Sequence, residues 1–181
     1  MLQFLRRIFM NRNVKLFGKK SFVSCLLSLL LVVIVASTPT TAMAASGSKK
    51  ITSSGKMSVV LNVGATGDSS RVSIRVSGLP ANAKITKLEV NTGSLSFQGG
   101  VVTNYLTIES SNGRSEKIAW GGAANKTLTT HNFLASTANG TYTLYFNSTC
   151  VGGAIVGGQI LSIGTKTYSR PYITVFWDDT L

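Results

Sequence analysis

The sequence has 181 residues, about one domain by the ~100–200 residues usual for each, with 18 Lys+Arg against 6 Asp+Glu and a net charge of +12. Charged residues make up only 13% and glycine 18 of 181, which excludes a coiled coil and a charge-rich disordered tail. The charge is also unevenly placed. Arg6, Arg7, Arg12, Lys15, Lys19 and Lys20 all precede the apolar run Phe22–Ala36, leaving a net +6 over residues 45–181.

That run is too short for the ~30 Å hydrocarbon core of a bilayer, and Ala42-Met43-Ala44 follows it as an A-x-A cleavage site. Residues 1–44 therefore read as a signal peptide, resembling the long leaders of Gram-positive bacteria. The expectation is a chain secreted to the extracellular space or loosely associated with the cell wall. No stable membrane span is expected after cleavage. Cys150 is then the one remaining cysteine, so no intramolecular disulfide is expected, and it reads as a small buried hydrophobe.

Residues 45–56 are small and polar and read as a flexible lead-in to a domain over 57–181. Eight candidate strands follow: Met57–Val63, Arg71–Ser77, Ile85–Val90, Tyr105–Glu109, Lys117–Trp120, Thr141–Asn147, Gln159–Ile163 and Tyr172–Trp177. Val72, Ile74 and Val76 alternate with Arg71, Ser73, Arg75 and Ser77, the period-two pattern of a half-buried strand. Likewise Tyr142, Leu144 and Phe146, then Ile173, Val175 and Trp177, read as core. Asn112-Gly113 marks a tight turn, and Gly152–Gly158 reads as a flexible loop between sheets. No 3.6-residue stripe supplies a crossover helix. The class is all-β: a single antiparallel β-sandwich, jelly-roll-like.

Three stretches resemble the P-domain family of the proprotein convertases: Arg71–Gly93, Tyr105–Ile118, and Phe133 followed by Ala138–Leu144. The resemblance implies a jelly-roll module. It also sets Asn104 and Asn147 where the family often has Asp near calcium, and Tyr142 in place of a Trp. Amides supply oxygens without charge, so no metal and no cofactor is expected.

The residue inventory is poor in chemistry. His131 is the single histidine, in a polar connection and with no nucleophile elbow nearby, and one His with one Cys cannot hold zinc. The acids of 45–181 are Asp68, Glu89, Glu109, Glu116, Asp178 and Asp179, none in an evident apolar pocket. The reading is non-catalytic.

Binding falls to aromatics and cations. Trp120 and Tyr168 are candidate stacking platforms for sugar rings, with core packing as the competing role. Arg71 and Arg75 share one polar strand face, and Lys84 with Lys87 begins another; paired, they would form a basic sheet face. Such a face suits a cell-wall polymer, a glycan or a protein surface. Nucleic acid is not expected, since no helix is available for a major groove. The expected function is a secreted, non-catalytic binding module at the bacterial cell envelope or on extracellular carbohydrate or protein. The alternatives are a cationic antimicrobial or toxin-like effector and a small glycoside hydrolase.

Overall fold

A computed structural model describes residues 44–181; the expected leader, up to Met43, lies outside the described residues. The described unit is all-β, with fourteen strands and no helix among the described residues. They are β1 (Ser46–Thr52), β2 (Lys56–Asn62), β3 (Thr66–Asp68), β4 (Val72–Val76), β5 (Lys84–Asn91), β6 (Ser94–Gln98) and β7 (Gly100–Ser110). Then follow β8 (Ser115–Ala119), β9 (Thr127–Thr130), β10 (Gly140–Gly152), β11 (Ile155–Val156), β12 (Gln159–Ile160), β13 (Ile163–Ser169) and β14 (Tyr172–Asp178). Every pairing is antiparallel, and the sheets pack together as a β-sandwich.

One layer is organised on β10. Its 13 residues pair with β7 along one edge, and β7 in turn pairs with β8. Along the other edge it meets two strands in succession, β4 against Gly140–Leu144 and β3 against Asn147–Thr149. At ~3.3 Å per residue β10 runs about 40 Å and spans the sandwich from end to end.

The facing layer consists of two sheets, β1-β14-β5-β9 and β2-β13-β6. The pairs β1/β2, β14/β13 and β5/β6 follow parallel tracks, and each track breaks at the same level. Two of the three breaks have a local cause. Pro171 lacks the N–H a ladder needs, Arg170 turns the chain at φ 57°, and Gly93 holds φ 76°. A Cβ on Gly93 would lie 2.1 Å from the carbonyl oxygen of Ser169, so only glycine fits.

Alternation decides what is inside. Val72, Ile74 and Val76 of β4, Tyr142, Leu144 and Phe146 of β10, and Ile173 and Val175 of β14 are all buried in one contiguous core. Trp177 is half-buried and packs against it. Cys150 is fully buried as a free thiol. Opposite it β13 comes so close that a Cβ on Gly164 would meet the Cys150 sulfur at 2.8 Å.

The lead-in expected over 45–56 is instead ordered: Ser46–Thr52 pair with β14 residue for residue. Serines and glycine give this edge strand little apolar alternation, so backbone bonds and the Lys50 ammonium stacked 3.7 Å from the Tyr172 ring hold it. The expected loop at Gly152–Gly158 is a hairpin whose two-residue turn, Gly157-Gly158, has positive φ at both positions.

Candidate functional site

Trp120 and Tyr168, expected as stacking platforms, are core residues, 6% and 0% exposed. Tyr168 lies on β13, the central strand of its sheet, and its ring meets Phe146 edge-on at 5.0 Å and Trp120 at 4.7 Å. Its hydroxyl donates to the Gly122 carbonyl at 2.6 Å, and burial pushes its pKa up to about 12. The polar neighbourhood Thr165–Arg170 hides this in the sequence. Its hydroxyl residues, Thr165, Thr167 and Ser169, occupy the opposite face of the strand from Tyr168. Neither ring can stack on a ligand.

The four basic residues do not form one sheet face. β4 pairs with β10, whereas β5 pairs with β14 and β9, so Arg71 and Arg75 stand on one layer and Lys84 and Lys87 on the other. Lys87 is engaged, 2.9 Å from a Glu89 carboxylate oxygen and 4.1 Å from the Phe176 ring centre. Lys84 opens β5 opposite Asp178, half-buried.

On the outer face of the β10 layer, Arg71 lies 4.1 Å over the Tyr145 ring and 2.7 Å from Glu109 Oε2. Glu109 Oε1 accepts the Tyr145 hydroxyl at 2.7 Å, which is the leading cause of that phenol's raised pKa. One strand over, Lys117 lies 4.8 Å from the Tyr105 ring. Outward aromatics with a cation laid across each are the feature that sequence reading missed. The signal was present: if Tyr142, Leu144 and Phe146 point inward, Tyr145 must point out.

Arg75 differs from Arg71, for it makes no ion pair among the described residues. It lines an open pocket of about 400 Å³ together with Ser77, Ser111, Asn139 and Thr141. Asn139 is committed to the fold, accepting from the Leu79 amide and donating to the Leu79 and Pro80 carbonyls. Ser111 Oγ accepts the Thr141 amide. No carboxylate lines the pocket, and Lys49 Nζ donates to the Ser77 carbonyl at its rim. The pocket can hold an anionic oxygen on the Arg75 guanidinium, with the Ser77 and Thr141 hydroxyls beside it.

The remaining polar candidates are accounted for by the ladder. Glu109 pairs with Ser115, so Glu116, one position on, points to the other side of the sheet, and the two carboxylates diverge. Asn104 donates to Asn147 Oδ1 at 2.7 Å, and Asn147 donates to Asp68 Oδ1 at 2.6 Å. His131 is exposed. Among the described residues no three His, Cys, Asp or Glu side chains converge, and no helix is long and apolar enough to cross a membrane.

No family model matches the chain, and no curated protein matches it. Among solved structures it is similar to the crystal structure of FLHE, at 20% identity and TM-score 0.40, over 74% of this chain and 98% of that one. It is also similar to a chain from infectious bursal disease virus Gt strain, at 16% identity and TM-score 0.32, over 74% of this chain and 37% of the viral one. The VP2 subviral particle of infectious bursal disease virus gives 11% and 0.31, over 74% and 40%. Likenesses this remote carry no argument about function.

Proposed function

We propose that this chain is a secreted, non-catalytic binding module whose ligand is an anionic polymer of the bacterial envelope or an extracellular glycan bearing phosphate or carboxylate groups. The observation that carries this reading is the Arg75 pocket. A guanidinium without a carboxylate partner, set in a concavity with hydroxyls and no acid, favours an oxyanion over a neutral or cationic ligand. The basic n-region, apolar run and A-x-A site support export, and the net +6 of residues 45–181 supports attraction to a negatively charged wall.

The test is a pull-down on purified cell walls and on arrays of phosphorylated and uronic-acid glycans. Binding is expected to weaken as salt is raised, because the Arg75 charge is screened within ~8–10 Å at physiological ionic strength. Arg75→Ala is expected to lose about tenfold or more in affinity, the weight of one charge-assisted contact. Lys84→Ala, on the other layer, should change little. Binding indifferent to both salt and Arg75 would overturn the assignment.

A further inference from the structure

We propose that the end of the sandwich opposite the Arg75 pocket is a self-association surface through which two copies of this chain pair. Three segments build that end: residues 60–67, 97–104 and 147–165. None carries Lys, Arg, Asp or Glu; the charges that border them are Asp68, beside Asn147, and Lys166, whose buried ammonium donates to the Val101 carbonyl. Strand pairing joins 97–104 to 147–165 at Val101/Cys150 and Gln98/Thr165, and hydrogen bonds tie in the rest. Val63 N donates to Ser162 O, Gly64 N to Cys150 O, Leu161 N to Ala154 O and Ala154 N to Ile163 O, all within 2.9 Å.

Aliphatic side chains cover this surface. Ile155 is 73% exposed, Ile160 78% and Val151 65%, with Val63, Val156 and Leu161 around them. Together these six expose on the order of 600 Å² of apolar surface, the top of the ~300–600 Å² range for the largest patch on a monomer. A standard specific interface buries ~800 Å² per partner and homodimer interfaces are about 65% apolar, so the patch matches the apolar part of a standard-size interface.

Charge decides between occupants. A tip that inserts into a bilayer is held by Lys and Arg at the headgroups and by Trp and Tyr in the interface, and these three segments contain none of the four. A second copy suits the surface better. Each copy carries its net positive charge away from this end, so meeting here sets the charged faces farthest apart. Among the described residues the β11–β12 hairpin pairs with no other strand, which leaves its outer backbone edges free for a partner hairpin. A patch that meets its own image closes a two-fold dimer and leaves no end open for a filament.

Sedimentation of the purified protein over a micromolar range should show a mass rising towards twice that of one chain. Added salt should preserve the pairing. The double substitution Ile155→Lys/Ile160→Lys is expected to weaken it at least about thirtyfold, the loss of a hot-spot contact, with circular dichroism unchanged. Leu134→Lys, exposed elsewhere, should leave it intact. Gln159→Cys keeps every aliphatic side chain. It should form a covalent dimer on oxidation, whereas Ser110→Cys at the far end should not. A monomer at all concentrations, or a dimer indifferent to the lysine pair, would overturn the proposal. So would a monomer that floats with phosphatidylcholine–phosphatidylglycerol vesicles through the same hairpin.

Discussion

The two ends of β10 make opposite surfaces from one continuous strand. At its start, Gly140 and Thr141 line a pocket with Arg75, and Arg114 and Lys49 reach nearby backbone carbonyls. At its finish, Cys150 and Val151 lead into paired glycines and an aliphatic hairpin without a charge from Ser148 to Thr165. The difference does not come from the β7 edge, since β7 accompanies β10 from Tyr142 to Gly152. It lies in what the neighbouring strands bring. β4 delivers Arg75 to one end, while β2, β6 and β13 cover the other with neutral side chains, the Lys166 ammonium there being buried against the Val101 carbonyl, so a chain with a modest net charge acquires a polarised surface.

What joins the ends is the ring cluster beneath β10, and breaking it should have the largest effect. Trp120→Ala removes a buried indole from contact with Tyr168 and Phe146. Chemical denaturation should show a loss of about 3–5 kcal/mol. Trp120→Phe should cost well under half of that, because the indole N–H is buried without a partner among the described residues and its removal relieves a desolvated donor. Equal losses for the two variants would mean that the N–H has a partner in solution.

The next effect belongs to the uncharged end alone. A Cβ on Gly153 would sit 1.7 Å from the carbonyl oxygen of Leu161, so Gly153→Ala must displace backbone. A cost of about 1–3 kcal/mol in the same assay is expected. Gly121, where a Cβ meets nothing within 4 Å, supplies the control and should stay within about 0.5 kcal/mol. A neutral Gly153→Ala would show that the hairpin is loosely held.

The layer around β10 was legible because its strands alternate strictly; Val72, Ile74, Val76, Leu144 and Phe146 are where period two puts them. The strands that escaped are short or lack apolar contrast. β3 has three residues, Thr66-Gly67-Asp68, and β1 is mostly serine, glycine and lysine. β13 was hidden because its inward side carries Gly164, Lys166 and Tyr168, a set no hydrophobicity pattern detects. Without a strand read over these residues, Tyr168 stands open both as a stacking platform and as core. Of Arg71, Arg75, Lys84 and Lys87, Arg75 is the one that lines the pocket without an ion pair among the described residues, because which strands pair depends on long-range topology that local pattern does not encode.

Alkaline pH separates the two chemistries within the core. Burial raises Tyr142 and Tyr168 to about 12, above the ordinary 10, so the folded state keeps protons that the unfolded state releases. Their stabilisation is full below pH 10 and is lost as pH rises through about 12. Lys166 acts in the opposite sense. Its ammonium is buried at the uncharged end of β13 and donates to the Val101 carbonyl at 3.0 Å, and desolvation lowers its pKa below 10.5. The unfolded chain therefore binds the proton more tightly, and this contribution improves with rising pH up to about 10.5. In urea titrations Lys166→Met should remove that rise and leave the fall above pH 10. A variant whose profile tracks the parent throughout would place Lys166 in contact with water.

The smallest effect should come from the charged faces, although they look the most heavily bonded. Arg71 stacks on Tyr145 and pairs with Glu109, whose other oxygen holds the Tyr145 hydroxyl. More than half of the Arg71 side chain is in water, so solvent screens the pair and conformational freedom is lost to form it. A double-mutant cycle with Arg71→Ala and Glu109→Gln should give a coupling of about 0.2–1 kcal/mol, shrinking as salt is raised. The stacked guanidinium adds about 0.5–1 kcal/mol that salt leaves largely in place, and Arg71→Lys should forfeit most of it by losing the planar group. A coupling above about 2 kcal/mol, unmoved by salt, would mean that this face excludes water. The contrast between charged and uncharged surfaces would then be one of composition only.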